Sequence, residues 1–550
     1  MAARKPMKRR AASISPTKSK VAGTVSDDAG ANCHREKDRL DDVASAFPVA
    51  SPLKLYLGSI VLKLLLAYTY TSTDLDVHTN WMAITYGRPF KDWYSDGASP
   101  SVWTLDYPPF FAWFEYGLAS IAALFPSVRP FLHVDGWLYA ECGRHTACVL
   151  FQRCSVICSE FVLFAAVYFA TMRESRRAQC LAVFLVLFHP GLLIVDHVHF
   201  QYNGLLMGLL VISTTLASSG NDVLATVAFS MTLCFKHLFL YVAPAFGCYY
   251  LGVLWSVDWG RRVGMLVRQG LAAVAVVGAA FGPVVASGMT EQVVKRLFPL
   301  QRGLIHSYWA PNAWALYAAA DKVLGITLPG GYDDGEATTA AFTGGLVQVT
   351  KFRVLPQVDS GTTAVVTLVA MLPALLGLLR RPLPGSLWRA VVYCSLCSFM
   401  FGYHVHEKAI LMTLIPLAVV VAKMTPSDVR GDERDRRDSR ERGRFMFLSM
   451  IGTYSLFPLL TGVEEYVPKV ALLVGYAIVA RVVLGDGGLS RLERVFCTWG
   501  VAAVEVYATF VHGRVFGEAW PFVPLMLVSV YCAVGVGFVW AQFCMEFLFV

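Results

Sequence analysis

The sequence is poor in charged residues. Only 16% of its 550 residues are Asp, Glu, Lys or Arg, whereas a typical soluble domain has roughly 25%. A large soluble all-α protein would also need polar stripes at helical spacing, and the long apolar runs of this chain lack them. These two deficits exclude a soluble protein, and the 56% share of hydrophobic residues predicts a chain embedded in a membrane.

Cysteine frameworks and nucleic-acid signatures are missing too. The 13 cysteines are scattered, mostly inside apolar runs, and their spacing matches neither a metal site nor a disulfide framework. Most are therefore expected to be packing residues, and Cys142 and Cys148 would pair only if their segment faces an oxidising compartment. The net charge of +8 comes from short basic clusters between apolar runs, so no nucleic-acid partner is expected.

Apolar runs recur from residue 54 to residue 546, and many reach the roughly 20 residues that a hydrocarbon core of about 30 Å requires. This pattern predicts an all-α polytopic membrane protein with about fourteen transmembrane helices in a single domain, 51–550. If every apolar run crossed the membrane fully, some of the basic clusters would lie on the non-cytosolic side. One short run is therefore expected to be a half-span. The candidates are 107–125 and 204–217.

The distribution of Lys and Arg predicts which segments are cytosolic, because cytosolic loops carry an excess of both. Residues 1–50 are predicted to be a disordered cytosolic tail, since they are too polar to fold. Residues 424–444 are predicted to be a solvated cytosolic linker without chemistry. Three shorter basic segments are also expected to be cytosolic: 172–178, 257–269 and 380–389.

Two longer segments are predicted to be lumenal loops, 74–106 and 289–362. The first has many aromatic residues, so it is expected to pack on the membrane surface. The lumenal assignment matters because ionisable residues beside or inside spans are costly and are functional candidates by default. Four clusters of such residues can face this one side.

The first cluster contains Asp74, Asp76 and His78, at the outer end of the first apolar run. Two carboxylates one residue apart are suited to a sugar transferase, in which one deprotonates an incoming hydroxyl and the other orients it. A boundary role without chemistry, or metal binding by the three side chains, remains an alternative.

The second cluster is Asp106-Tyr107 before two prolines. The prolines predict an extended entry into the next helix, and a carboxylate near a helix start is favoured by the helix dipole. A structural role and a substrate-binding role are both open for Asp106 and Tyr107.

The third cluster lies between two apolar runs and combines groups that hydrogen-bond with groups that stack on sugar rings. Its candidate binding residues are His197, His199, Gln201 and Asn203. The spacing of its two histidines does not suit a zinc site. Lys236 and His237 belong beside this cluster, because a lysine so close to hydrocarbon either extends to the interface or pairs with an anion.

The fourth cluster is His404, His406, Glu407 and Lys408, bounded by apolar runs. Histidine and lysine at a membrane boundary can neutralise a phosphate, and Glu407 can orient them. Two residues of the long lumenal segment add to these basic groups, Arg302 and His306. The four clusters together predict a site for a polyhydroxyl substrate that carries a phosphate.

The clusters resemble one family, the dolichyl-phosphate-glucose-dependent α-1,3-glucosyltransferases of the endoplasmic reticulum. The shared motifs are Thr-Asp-x-[Asp/Glu]-Val-His-x-Asn-Trp (73–81), Trp-Thr-Leu-Asp-Tyr-Pro-Pro (103–109), Asp-His-x-His-Phe-Gln-Tyr-Asn (196–203) and Val-His-Glu-Lys (405–408). The stretch 297–317 resembles the second enzyme of the family, which acts on a mono-glucosylated acceptor. Departures are Leu75-Asp76, where Phe-Glu is common, and Thr79, where Arg is common.

The resemblance implies a GT-C-type fold in the endoplasmic-reticulum membrane, an inverting transfer, and neither a metal nor a cofactor. It implies a dolichyl phosphate glucose donor, a dolichyl-diphosphate oligosaccharide acceptor and Asp74 as the catalytic base. Five residues are candidates to stabilise the leaving phosphate: Lys236, Arg302, His404, His406 and Lys408.

Other classes are open from the residues alone. The first enzyme of the family would act on a non-glucosylated acceptor. A proton-coupled transporter would have internal repeats and charged residues in mid-span, and the candidate ionisable residues gather instead at one membrane face. A non-catalytic subunit would not need two carboxylates and two His-rich clusters.

Overall fold

The structure is a computed structural model of the chain. It describes residues 51–136, 138–299, 303–306, 309–328, 352–424, 433–460, 462–485, 488–517 and 520–549. The tail 1–50, Arg302 and parts of the segments 289–362 and 424–444 lie outside the described residues.

The described chain is built from α-helices. The first nine are α1 (Pro52–Leu65), α2 (Thr73–Gly87), α3 (Pro109–Ala122), α4 (Thr146–Ser159), α5 (Phe161–Thr171), α6 (Arg176–Leu187), α7 (Asn203–Ser218), α8 (Asp222–Phe235) and α9 (Ala243–Trp255). The others are α10 (Trp259–Ala286), α11 (Thr290–Leu297), α12 (Ala313–Thr327), α13 (Ser360–Arg380), α14 (Pro384–Phe401), α15 (Leu411–Ala422), α16 (Glu433–Tyr454), α17 (Tyr466–Leu484), α18 (Arg491–Phe516) and α19 (Val523–Phe549).

Eight helical stretches in the described residues are long and apolar enough to cross a membrane: Thr146–Thr171, Arg176–Phe200, His237–Trp255, Trp259–Ala286, Ser360–Arg380, Tyr466–Leu484, Arg491–Phe516 and Val523–Phe549. The all-α polytopic membrane fold is thereby confirmed. The two suspected half-spans correspond to α3 and α7, and both are short, with 14 and 16 residues. The total of about fourteen spans stays a prediction.

A kinked span positions the third cluster. After α6 the chain turns at Pro190 and continues as a π-helix, Leu193–Phe200. Phe200 ends it with a φ of 92°, a strained conformation for a side chain of this size. Arg153 of α4 compensates for the irregular backbone, because its Nη2 donates to the carbonyls of Val198 at 2.7 Å and Tyr70 at 2.6 Å.

Two glycines at the start of α7 fix how closely this helix approaches α4 and α5. A Cβ at Gly208 would lie 2.8 Å from the backbone nitrogen of Leu163, and one at Gly204 would lie 2.8 Å from Glu160 Cγ. The Gly-x-x-x-Gly spacing places both on one helix face, as in close helix pairs within membranes. Small residues are therefore required here, directly after the third cluster.

The segment 74–106 is packed, as expected for a loop rich in aromatics. It contains α2 and a short 3-10 helix, Phe90–Asp92, and the rings of Trp81, Trp93 and Tyr94 are buried. This packing gives Asp74, at the start of α2, a rigid support.

The structure corrects one expectation about the connecting segments, that of a solvated linker, and adds detail to two others. Cys142 and Cys148 form a disulfide, although their spacing matched no framework. Residues 433–444 are the first turns of α16 rather than a solvated linker, because Glu441 is buried and accepts a 2.7 Å bond from Arg389. The basic segment 257–269 is largely the start of α10, and its cytosolic location stays a prediction.

Candidate active site

Asp74 is the centre of the polar groups that the fold brings together. It lies in the first turn of α2, after the N-cap residue Ser72, whose Oγ donates to the carbonyl of His199. Lys408 Nζ and Gln201 Nε2 donate to Asp74 Oδ2 at 2.7 Å and 2.8 Å. His199 Nδ1 lies 3.3 Å from the same oxygen.

All of these side-chain contacts are made by Oδ2. Within the described residues Asp74 Oδ1 accepts no hydrogen bond, and the side chain is 23% exposed. One oxygen of the carboxylate is therefore anchored, while the other can meet a substrate.

Neighbouring charged groups keep Asp74 and Lys408 ionised. Burial acts to raise the pKa of Asp74, but Lys408 and His199 outweigh it and hold the pKa well below its ordinary value. Burial acts to lower the pKa of Lys408, but the carboxylates of Asp74 and Glu407 raise it above its ordinary value. The pair remains charged at neutral pH.

A chain of hydrogen bonds supports Gln201. Asn203 Nδ2 donates to Gln201 Oε1 at 2.8 Å and to Asp196 Oδ1 at 2.9 Å. Lys236 Nζ donates to Asn203 Oδ1 at 3.3 Å and lies 5.1 Å from the centre of the Tyr107 ring. The second and third clusters and Lys236 thus adjoin the Asp74 carboxylate.

Three histidines lie next to Lys408. The ring centres of His306 and His406 are 3.8 Å apart, and one nitrogen each of His306, His404 and His406 lies within 4.8 Å of the others. A bridge between Ile305 and Val405 aligns the two segments that carry them. Three ring nitrogens at this spacing can hold a cation or donate to phosphate oxygens.

The surroundings of His406 favour its neutral form. Burial, then His306 and His404, hold the pKa of His406 well below its ordinary value. Glu407 lies 3.5 Å from His306 Nδ1. Burial acts to raise the pKa of Glu407, but His306 and Lys408 lower it overall, so its carboxylate stays charged and can orient the ring.

Four predicted site residues point elsewhere. His78 is buried and its Nδ1 lies 2.6 Å from Glu115 Oε1. His197 Nε2 lies 2.5 Å from Glu160 Oε2 in the helix interior. The His237 ring packs against Phe298, with ring centres 5.3 Å apart. Asp76 lies near Gly143, and burial, only partly opposed by Arg144, raises its pKa to about 6.

Sequence reasoning missed an internal ionic group. Lys63 Nζ donates to Glu160 Oε1 at 2.7 Å, and both side chains are almost fully buried. Lys63, Arg153 and Glu160 lie within apolar stretches of the sequence, so charged residues are also present inside spans, apart from the candidate residues that were predicted to gather at one face. A charged residue inside an apolar run was the available signal. Lys63 pairs with Glu160, Glu160 also holds His197, and Arg153 binds the carbonyl of Val198, so this group supports the third cluster.

Comparison with known proteins identifies the family of this chain. The model of the ALG6, ALG8 glycosyltransferase family matches residues 59–543. The chain belongs to this family. Membership confirms a glycosyltransferase of the GT-C type in a multi-pass membrane fold.

Three relatives match this chain over nearly their full length. Proteins of Arabidopsis thaliana, Bos taurus and Schizosaccharomyces pombe are 39%, 38% and 37% identical to this chain. The matches cover 92%, 89% and 87% of this chain, and 98%, 94% and 95% of the relatives. Each of the three is named dolichyl pyrophosphate Glc1Man9GlcNAc2 alpha-1,3-glucosyltransferase.

Proposed function

We propose that this chain transfers glucose from dolichyl phosphate β-D-glucose to the terminal glucose of a mono-glucosylated dolichyl-diphosphate oligosaccharide. The new linkage is α-1,3, and the reaction takes place on the lumenal side of the endoplasmic-reticulum membrane. The names of the relatives, which specify a Glc1Man9GlcNAc2 substrate, support this acceptor. The resemblance of 297–317 to the second enzyme of the family is in line with the same acceptor.

The observation that carries the proposal is that hydrogen bonds hold one oxygen of the Asp74 carboxylate and leave the other available to a substrate. Its Oδ2 is fixed by Lys408 and Gln201, so Oδ1 has a defined direction. The acceptor 3-hydroxyl attacks C1 of glucose as the bond from C1 to the phosphate oxygen breaks on the opposite face. The hydroxyl proton passes to Oδ1, which makes Asp74 the general base of a single inverting step.

Lys408 acts on both the catalytic base and the leaving phosphate. The donor carries one negative charge on its phosphodiester, and the departing dolichyl phosphate carries two. Lys408, with Lys236 and the ring N–H donors of His404 and His406, stabilises the charge that develops in a partly desolvated site. As Lys408 is drawn towards the leaving phosphate, it withdraws from Asp74, whose pKa then rises and whose carboxylate becomes a better base.

Membrane lipid surrounds the protein and holds both dolichyl chains, so donor and acceptor reach the site from the bilayer. The chain needs no cofactor in this mechanism. The related first glucosyltransferase, with a non-glucosylated acceptor, is the second candidate, because the four motif clusters are common to both enzymes.

The test is transfer of labelled glucose by membranes that contain the purified chain as their only glycosyltransferase. Dolichyl phosphate glucose is supplied with either mono-glucosylated or non-glucosylated lipid-linked oligosaccharide. Transfer to the first acceptor alone is expected. Transfer to the second alone would replace the proposed acceptor, and no transfer to either would overturn the proposed reaction.

A further inference from the structure

A polar cavity of about 570 Å³ opens beside the start of α2. This volume lies within the range of about 300–1,000 Å³ that is usual for ligand sites. Its walls include Tyr68, Tyr70, Thr71, Arg144, Glu464 and Glu465. Aromatic faces, hydroxyls and ionised groups are therefore present around one space.

One wall is the small loop that the disulfide closes. Gly143, Arg144 and Thr146 all line the cavity, and all lie between Cys142 and Cys148, which the disulfide joins. The crosslink restricts this loop and reduces the entropy that would be lost when a ligand orders it. Glu464 and Glu465, which directly precede α17, also line the cavity.

The cavity adjoins the Asp74 site through two residues. Tyr70 lines the cavity, and its ring centre lies 6.4 Å from that of His199, which contacts Asp74. On the other side, a Cβ at Gly143 would lie 3.5 Å from Thr71 Oγ1 and 3.8 Å from Asp76 Oδ1. A ligand in the cavity would therefore reach towards the first turn of α2, where both carboxylates stand.

The charges of the cavity distinguish between possible ligands. Among the described residues that line the cavity, Arg144 carries the one positive charge, and Glu464 and Glu465 carry two negative charges. The space is therefore not suited to a diphosphate. Carboxylates, a guanidinium and hydroxyls can all exchange hydrogen bonds with neutral sugar hydroxyls, and tyrosine rings offer apolar faces to a pyranose. The donor phosphate, by contrast, is expected near Lys408.

We propose that this cavity is the subsite for the oligosaccharide end of the acceptor, with the loop 142–148 as its disulfide-braced wall. The proposal rests on the proposed function, because it presumes that Asp74 receives a glycan hydroxyl. It assigns roles to Arg144 and the disulfide that lie outside the four sequence motifs.

The test is steady-state kinetics of Arg144→Ala in the glucose-transfer assay. The KM for the lipid-linked oligosaccharide is expected to rise about tenfold, the effect of losing one charge-assisted hydrogen bond. The KM for dolichyl phosphate glucose is expected to stay the same. Because Arg144 is exposed, the variant should fold as the wild type does. Arg129→Ala is the matched control, since Arg129 is also exposed and does not line the cavity.

A second variant tests the wall itself. The double variant Cys142→Ser/Cys148→Ser is expected to raise the acceptor KM, as Arg144→Ala does. Glu464→Gln changes a second exposed residue of the cavity and is also expected to raise the acceptor KM. An unchanged acceptor KM in both Arg144→Ala and Glu464→Gln overturns the subsite, as does a rise in the donor KM instead. These outcomes differ from failure of the proposed function, in which the wild type itself transfers no glucose.

Discussion

Lys408 Nζ donates a 2.7 Å hydrogen bond to Asp74 Oδ2 and so joins two residues that are 334 positions apart in the chain. The bond pairs the first motif cluster with the fourth. Since each group alters the ionisation of the other, a substitution at either position changes both. The predictions below separate their roles.

Asp74→Asn is expected to lower the rate of glucose transfer by about 100-fold or more, because a positioned base typically contributes 10²–10⁴-fold. Asparagine preserves the size of the side chain but cannot take the proton. Donor binding and protein abundance should stay near wild type. Asp76→Asn is the matched control with a smaller expected loss. Equal rates for Asp74→Asn and wild type would remove Asp74 from the mechanism.

Lys408→Met is expected to move the acid limb of the pH–rate profile to higher pH. Lys408 opposes the effect of burial and keeps the pKa of Asp74 well below its ordinary value, so wild-type Asp74 stays ionised at neutral and mildly acidic pH. Without the cation, burial raises this pKa, and Asp74 becomes protonated as the pH falls. Lys408→Arg keeps the charge and should retain the wild-type limb. An unshifted limb in Lys408→Met would contradict the coupling.

Asp76 is expected to control acceptor binding between pH 5 and 7. Its pKa is raised to about 6 by burial, so the carboxylate is ionised above this pH and protonated below it. If the ionised form binds the acceptor glycan beside Gly143, at the edge of the proposed subsite, the acceptor KM rises as the pH falls through 6. Asp76→Asn should show no such change in this window. Identical KM–pH profiles for the two proteins would exclude the role.

Cysteine labelling in sealed microsomes tests the orientation. Gly97→Cys should be protected from an impermeant reagent, and Gly260→Cys should react from the cytosolic side. Both glycines are exposed and both accept a Cβ without a close contact. Labelling is measured above the wild-type background, since other cysteines are free. Cytosolic labelling at residue 97 would overturn the site assignment.

Chelation separates the two uses of the histidine cluster. If His306, His404 and His406 serve phosphate binding, EDTA leaves the transfer rate unchanged, whereas His406→Ala lowers it. Elemental analysis of the purified protein provides the second measurement. A loss of activity in EDTA that zinc restores would assign the cluster to a metal.

The sequence was sufficient for the fold class and for the set of polar segments near Asp74, since hydrophobic runs and family motifs are local patterns. It was insufficient for side-chain direction. His197 and His199 are two residues apart, yet the π-helix turns one towards Glu160 and the other towards Asp74. The partner of Glu160 is 97 residues away in Lys63, a pairing that no local pattern encodes. The cavity wall at Arg144 depends on a disulfide whose spacing matched no framework.

Gly204 changes how inherited or engineered variants of this chain should be interpreted. An added methyl group there would meet Glu160 Cγ at 2.8 Å, and Glu160 in turn holds His197 and Lys63. Gly204 also donates its backbone N–H to Asp196 Oδ2, at the start of the hydrogen-bond chain that orients Gln201. Gly204→Ala would therefore do more than disturb helix packing, because it displaces the groups that orient Gln201 and should lower glucose transfer.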